Sequence, residues 1–363
     1  MPSKKIAVIH SGFQNDYLDK LFSLFNDEGY QVDFYTRNKE INEYPNVKNI
    51  YHFESKVDEK NPELIEKISK EIELLIKDKN YDYILSDCCP LSFGSNVFHR
   101  HSLDYRKSLS PNFIYEFLFA FGHLKELNYF KKWHTQKHQK IFVMSNEMKK
   151  DYAKALSIPK EKIVVLTPGF NTNPTTNIES ERKNNSTDEF IFGLSAMGFS
   201  SKGGYILLDA MRRIKYKNIK CKIIYPKHEK NYYLKFLIQI MGIKDRVEFV
   251  GVQKNMTEFY NSIDCLVVSS LSEAFGRVVT EAMINKTPVI IGSNVGACDI
   301  INDGQNGFVF EFDKNSGKNL ALKMSEVYEK RNNLESLIAN AYETALGLSW
   351  DNFAQKIFEE IKK

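Results

Sequence analysis

The sequence predicts an α/β protein made of two consecutive doubly wound domains, each a parallel sheet covered by helices on both faces. Three observations lead there. Short apolar runs of four to six residues alternate with longer helix-like stretches along most of the chain, the pattern of buried strands joined by helical crossovers. The alternation breaks once, at a polar segment near the middle, and then restarts. A length of 363 residues suits two domains, each long enough to bury its own core.

The elements follow in order. A first strand is expected at Ile6-Ala-Val-Ile9, then a helix from Tyr17 to Asn26 and a strand at Val32-Asp-Phe-Tyr35. Pro62 to Lys77 reads as a long amphipathic helix, with strands at Tyr83-Ile-Leu85 and Ile141-Phe-Val-Met144. The β-branched cluster Ile163-Val-Val-Leu166 leads into Thr167-Pro-Gly-Phe170, which closes a first domain of residues 1–170. Asn171 to Glu189 is rich in Asn, Thr, Ser and charge and nearly free of large apolar residues, so it reads as an exposed linker.

The second domain, residues 190–349, opens with strand Phe190-Ile-Phe-Gly-Leu194 and helix Tyr205 to Ile214. Strand Cys221 to Tyr225, helix Tyr232 to Met241 and strand Val247 to Val250 come next. Helix Met256 to Asn261, strand Cys265 to Val268, helix Arg277 to Asn285 and strand Pro288 to Ile291 complete the pattern. No shorter internal repeat is visible.

Bulk properties narrow the class. A hydrophobic share of 42% and a charged share of 26% are those of a soluble globular chain. No apolar run reaches the roughly 18 residues of a membrane span. The run after Met1-Pro-Ser-Lys-Lys is too short for a signal peptide, which points to the cytoplasm. Five scattered cysteines with no C-x-x-C pair read as small core residues and leave no disulfide framework or zinc site. The net charge of +4 is uneven: residues 97–163 hold 13 Lys and Arg against 6 Asp and Glu, densest from Lys131 to Lys140. That face either attracts an anionic lipid, a phosphorylated glycan or nucleic acid, or is a solvated helix face. No nucleic-acid motif accompanies it.

The chemistry concentrates in Ser269-Ser-Leu-Ser-Glu-Ala-Phe-Gly-Arg-Val-Val-Thr-Glu-Ala-Met283. A buried strand ends near Val268 and a helix begins close to Gly276, so the loop lies beyond a strand's carboxyl end, where open parallel sheets bind ligands. A helix N-terminus there offers amide donors and partial positive charge to a diphosphate. Gly276 lets a ligand approach the backbone. Glu273 in the loop and Glu281 about one and a half turns into the helix can face one ligand from different distances. As a bare pair, two glutamates eight positions apart read first as solvated or helix-first-turn carboxylates.

The order of the flanking residues resolves that ambiguity. Ser-x-Glu-Ala-Phe-Gly followed by Thr-Glu-Ala-Met resembles the Glu-x7-Glu signature of glycosyltransferase family 4. Thr167-Pro-Gly-Phe170, Lys202-Gly203 before a helix, Phe249-Val-Gly251 and Phe259 to Asp264 resemble that family's landmarks in order. So do Gly292 to Ile301, Asp303 to Phe308 and the closing Ser349-Trp-Asp-Asn-Phe-Ala. The first-domain pattern Phe121-Gly-His-Leu-Lys-Glu to Val143-Met-Ser145 is similar to glucosyltransferases of lipopolysaccharide-core assembly.

The resemblance implies a GT-B fold, two Rossmann-like domains facing across a cleft, with residues 350–363 crossing back as a helix onto the first. It implies a retaining hexosyltransferase acting from a nucleotide-diphosphate sugar, UDP-sugar before GDP-sugar, onto a glycan or lipid-linked acceptor. Lys202 would neutralise the diphosphate, and Glu273 and Glu281 would hold sugar and ribose. Gly203, Phe275, Gly276, Arg277, Gly296 and Gly12 would line the donor site, and His99 would stand near the reacting carbon. No cofactor is implied, and catalysis is expected without metal. Ala196 to Ser201 lacks the arginine common in the family, for which Arg277 or Arg100 are the candidate substitutes. A catalytically silent binding subunit and a nucleotide-sugar hydrolase or phosphorylase are the competing readings.

Overall fold

A computed structural model of the chain describes residues 4–10, 16–55, 62–87, 96–98, 140–170, 189–226 and 231–363. They divide into two compact units: the described residues up to 170 together with 348–363, and residues 189–347. The frame is that of the GT-B fold, α/β with two parallel sheets.

The first unit runs β1 (Lys4–His10), α1 (Asp16–Asp27), β2 (Tyr30–Thr36), β3 (Asn49–His52), α2 (Pro62–Ile76), β4 (Tyr83–Asp87) and β5 (Asn96–Phe98). It continues with β6 (Ile141–Val143), α3 (Asn146–Leu156) and β7 (Ile163–Val165). The strands form one sheet in the order β3-β2-β1-β4-β5-β6-β7. All of its pairs are parallel, with Ile6 opposite both Val32 and Tyr83. β1 is apolar from Ile6 to Ile9 because both of its faces are covered, by α1 on one side and α2 on the other.

The second unit runs β8 (Phe190–Ser195), α4 (Gly204–Arg213), β9 (Ile219–Ile224), α5 (Tyr232–Ile240), β10 (Val247–Val250), α6 (Met256–Asn261) and β11 (Cys265–Val268). Then come α7 (Arg277–Ile284), β12 (Val289–Gly292), β13 (Phe308–Phe310), α8 (Ser316–Glu329) and α9 (Glu335–Leu346). The sheet order β10-β9-β8-β11-β12-β13 reverses direction between β8 and β11. Phe192, Ile223, Val267 and Ile290 fill its centre together with Leu207, Met211, Leu320 and Met324 from the covering helices.

The chain ends in α10 (Trp350–Lys362), which packs against α1 of the first unit. Ser349 caps it by accepting from the Asn352 amide at 3.1 Å. Phe353, Ile357, Phe358 and Ile361 recur at helical spacing and are buried against Leu18, Leu21 and Phe25. Each such side chain contributes roughly 1.5–3 kcal/mol by leaving water. Where α10 begins, the backbone runs directly against Gly169: a Cβ there would strike the Trp350 amide, and the Phe170 amide donates to the Leu348 carbonyl at 2.9 Å. The Thr167-Pro-Gly-Phe170 turn is therefore a close backbone approach, which needs glycine.

Several elements have no counterpart in the apolar-run pattern. β3 and β13 are short, and α3 buries Met148 and Tyr152 among its described side chains. α8 begins in the polar run Ser316-Gly-Lys-Asn319, which masks a helix whose later turns bury Leu320, Met324 and Val327. The cysteine expectation needs one correction. Cys221 and Cys265 are buried, and burial pushes the Cys221 thiol up to about 12, but Cys298 is only half-buried, in the loop after β12. Cys88 and Cys89 lie outside the described residues.

Candidate functional site

The reversal of strand order in the second sheet brings the ends of β8 and β11 together, Cys265 pairing with Phe192 and Leu266 with Gly193. Such a switch point is where an open parallel sheet receives a ligand. After β8 the chain makes a tight turn, with the Lys202 amide donating to Gly198 (2.9 Å) and the Gly204 amide to Phe199 (2.8 Å). Gly203 ends the turn with φ 74° and caps α4. A Cβ on Gly203 would land on the Ser269 carbonyl, so the two loops touch through their backbones. Ser269 Oγ donates to the Gly203 carbonyl at 3.1 Å, and the Leu271 amide donates to Ser201 at 2.9 Å.

That contact sets Lys202 against Glu273. The ammonium donates to Glu273 Oε2, and Ser270 Oγ donates to the same oxygen at 3.1 Å. The lysine side chain is 36% exposed and the glutamate 19%, so the pair is partly dry yet reachable from solvent.

A second loop, after β12, clamps the first. Glu273 bridges to Val295, the Gly296 amide donates to the Glu273 carbonyl at 3.1 Å, and the Ala297 amide donates to Phe275 at 2.6 Å. The Gly296 amide thereby shapes the Glu273 backbone. Asn294 does more. Its buried Nδ2 donates to the carbonyls of Ser270 and Leu271, both at 2.9 Å. Its Oδ1 is buried against the Cα of Gly292, where a Cβ would come within 2.6 Å. Asn294 was not singled out by sequence reasoning; an Asn two residues beyond a buried strand end was the available signal.

Gly276 caps α7 with φ 98°, and a Cβ there would press on Glu273 Cγ and Val295. It brings no side-chain cap, and no acidic residue stands in the first turn of α7. The positive end of the helix dipole is therefore offset by no acidic residue of the helix's own first turn, and the Glu273 side chain stands beside Gly276. Arg277 is exposed at this end, while the Phe275 ring is buried, only 3% exposed. Glu281 lies further along α7 and accepts from the Tyr260 hydroxyl at 2.8 Å. Burial and then the Glu281 carboxylate hold the Tyr260 phenol well above its ordinary range, so it remains a donor. Tyr260, on α6, is a second residue that sequence reasoning missed.

In the first unit His99, Gly12 and Arg100 lie outside the described residues, as does the basic stretch up to Gln139. Lys140 is described and pairs with Glu360 of α10 at 2.6 Å, half-hidden from water, so it is not a free surface cation. At the switch point of this sheet His10 pairs in register with Asp87, and its Nε2 stands 3.2 Å from Asp87 Oδ2 with both side chains buried. The Tyr17 hydroxyl donates to the same carboxylate. Among the described residues no group of three or more His, Cys, Asp and Glu side chains is placed to hold a metal ion. No described helix is long and apolar enough to cross a membrane.

Known proteins resemble the chain in sequence and in fold. Residues 176–344 match the family model for glycosyl transferases group 1. An uncharacterized glycosyltransferase of Methanocaldococcus jannaschii is 25% identical over 351 residues, covering 90% of this chain and 88% of its own length. Two solved structures share the fold. The sucrose-phosphate synthase of Thermosynechococcus elongatus has a TM-score of 0.70 at 18% identity, with 98% of each chain covered. The Anabaena protein HepE in complex with UDP-glucose has a TM-score of 0.67 at 17% identity, with 99% of each chain covered. At these identities the two structures speak to fold alone.

Proposed function

We propose, from the premise that residues 176–344 carry a group 1 glycosyltransferase domain on a GT-B frame, that the protein is a family 4 retaining hexosyltransferase. It takes its sugar from a nucleotide diphosphate, with UDP-sugars favoured over GDP-sugars, and delivers it to a glycan or lipid-linked acceptor in the cytoplasm. The observation that carries this reading is the Lys202–Glu273 pair at the β8/β11 switch point, beside the N-terminus of α7, to which no side chain bonds as a cap. A partly dry ammonium next to a helix dipole suits the charge that grows on a departing diphosphate.

In this reading Lys202 leaves Glu273 for the diphosphate when donor binds. Glu273, held in place by Ser270 and the loop after β12, accepts hydrogen bonds from hydroxyls of the transferred sugar. Glu281 receives the ribose hydroxyls, its second oxygen oriented by Tyr260. Gly203, Gly276 and Gly296 keep the backbone turns that bring these groups together, and Arg277 supplies the cation missing before Lys202. Glu273 is not assigned as a nucleophile: donor phosphate and acceptor hydroxyl on one face of the sugar account for retention. The first unit binds the acceptor, with His99 near the reacting carbon and Gly12 in its first loop. The UDP preference draws on the UDP-glucose complex of HepE, a protein of the same fold. The basic stretch Lys131 to Lys140 favours a phosphorylated or lipid-linked acceptor of cell-envelope polysaccharide or lipopolysaccharide synthesis.

The test is thermal stability with UDP-, GDP- and ADP-sugars, repeated in Glu281→Ala and Lys202→Ala. A bound ligand raises the midpoint by mass action. A shift with one nucleotide class, lost in both variants, supports the reading. No shift with any donor in a folded sample turns it toward a silent subunit, which the absent arginine in Ala196 to Ser201 favours as the second reading. Donor turnover that needs no glycan acceptor would instead mark a hydrolase or phosphorylase.

A further inference from the structure

The end of α4 and one face of α8 enclose a cavity of about 400 Å³ on the second unit. That volume falls in the range of sites that take small molecules. Lys318, Leu322, Ser325 and Glu329 recur at helical spacing, so one face of α8 forms a wall. Arg213, at the end of α4, with Lys215 and Tyr216 just beyond it, forms the other. α4 starts at the Gly203 turn and is ten residues long. The cavity therefore stands roughly 15 Å along the helix from Lys202, at the opposite end from the Lys202–Glu273 pair.

The walls carry mostly positive charge: Arg213, Lys215 and Lys318 against a single carboxylate, Glu329. Residues 209–220 and 311–335 together hold ten Lys and Arg against six Asp and Glu, so the excess is not confined to the walls. The neighbouring carboxylates are engaged. Asp209 accepts from Arg213 at 2.8 Å and from Arg212 at 3.0 Å, and Glu326 pairs with Lys323 and Lys330. Glu329 Oε1 accepts from the Tyr216 hydroxyl at 2.6 Å. Among the described residues neither Lys215 nor Lys318 is paired with a carboxylate. Arg212 and Arg213 suit the negative end of the α4 dipole, but Lys318 stands in the first turn of α8, where the dipole disfavours a cation. Helix stability therefore does not account for it.

A phosphate dianion answers three converging cations better than a single carboxylate does. Asp209 fixes the Arg213 guanidinium at the wall, so that donor is ordered before a ligand arrives. Beside the cations, the Tyr216 ring packs 4.8 Å from the Tyr328 ring, and Leu322 is 63% exposed, which gives an apolar surface for a ring. We infer that this cavity binds a phosphate monoester carried on a hydroxylated ring, its phosphate among Arg213, Lys215 and Lys318 and its ring against Tyr216 and Leu322. A ring hydroxyl can donate to the second oxygen of Glu329. Sugar phosphates and nucleoside monophosphates share this chemistry. The site lies within the second unit and does not rest on the transferase reading.

The experiment is equilibrium dialysis of the full chain with radiolabelled glucose 6-phosphate and, separately, AMP, with inorganic phosphate, sulfate and glucose as competitors. The variants are Lys215→Ala with Lys318→Ala, Leu322→Ser, and Lys202→Ala. The native protein is expected to bind one of the two monoesters, which identifies the source, and to bind it less tightly as salt rises. Inorganic phosphate should compete weakly, and glucose and sulfate hardly at all. The lysine double variant should lose affinity on the order of tenfold or more. Leu322→Ser should weaken the monoester several-fold and leave competition by inorganic phosphate unchanged. Both should keep the native melting temperature, because these side chains are exposed. Lys202→Ala should bind like native. No binding of either monoester overturns the inference, and so does sulfate competing as well as the monoester, which would mean adsorption of any counterion. Binding lost in Lys202→Ala but kept in the lysine double variant would place the ligand at the other end of α4 and overturn it as well.

Discussion

Lys202 and Glu273 are 71 residues apart in sequence and form an ion pair at the ends of neighbouring strands β8 and β11. Neither side chain is fully buried, so the pair adds little to stability. Its significance is positional: a cation is kept next to the dipole of α7 by a carboxylate that can release it. Lys202→Ala and Glu273→Gln are each expected to lower kcat on the order of a hundredfold or more while leaving the fold intact. The double variant should be no worse than the poorer single one, because groups acting as a unit are non-additive. Steady-state kinetics with a donor found by thermal shift checks this, and strictly additive losses would refute it.

Tyr260→Phe removes the hydroxyl that Glu281 accepts, without touching a donor group itself. The expected result is a KM for donor raised roughly fivefold, about 1 kcal/mol, with kcat unchanged. A change in kcat alone would mean that Glu281 is not oriented through Tyr260.

Gly203 and Gly242 share a left-handed backbone, φ 74° and 66°, but only Gly203 is crowded. Gly242→Ala should cost about 1–2 kcal/mol for the backbone conformation alone. Gly203→Ala should cost roughly 1–3 kcal/mol beyond that, from collision with the Ser269 carbonyl, and should also abolish donor binding as Lys202 moves. Urea denaturation of the two variants provides the comparison; equal losses would argue against backbone contact as the organising feature of the site.

Asn294→Ala leaves the Ser270 and Leu271 carbonyls without their buried donor, a cost of roughly 1–3 kcal/mol. Asn294→Asp should be worse, because a carboxylate cannot donate and would face two carbonyl oxygens. Donor affinity should fall in both, since the loop that carries Glu273 is no longer tied. An Asp variant with native melting temperature and native donor shift would show that the tether is dispensable.

Hydrogen bonds from Lys140 and Lys363 hold the Glu360 carboxyl below the ordinary glutamate range. A depressed folded-state pKa means that this stabilisation is fully present above the unfolded pKa of about 4.3 and is lost as pH falls through the lower folded value. Glu360→Gln should therefore destabilise the protein at pH 7 by about 1 kcal/mol or less, with the gap to native closing below pH ~4. Urea midpoints measured against pH check the sign; a gap that widens on acidification would contradict it.

Most strand positions, though not β3 and β13, and the loop between β11 and α7 were legible in the sequence. Each rests on a local cue: an apolar run between polar segments, or a glycine ahead of a helix. Lys202, Glu273 and Glu281 were legible as candidates for the same reason, since they sit beside strand ends and helix starts. Tyr260 and Asn294 were not. A buried tyrosine on a short helix and an asparagine in a loop acquire a role only through the partner each meets, 21 residues away for Tyr260 and 23 or 24 for Asn294. The same holds for the His10–Asp87 pair, which depends on β1 and β4 being neighbours although 70 residues separate Tyr17 from the carboxylate they share.

The sequence by itself determined the alternation of strands and helices and the residue types available beyond each strand end. These follow from periodicity, capping and turn chemistry within a few residues. Tertiary structure alone decided that β8 and β11 lie side by side and that Ser269 meets Gly203 backbone to backbone. It likewise decided that the Gly296 amide supports Glu273 and that α4 and α8 enclose a basic cavity. Those outcomes depend on which strands pair and which face of each helix the sheet covers, and a packing choice of that kind is made between residues far apart in the chain, where local patterns carry no information.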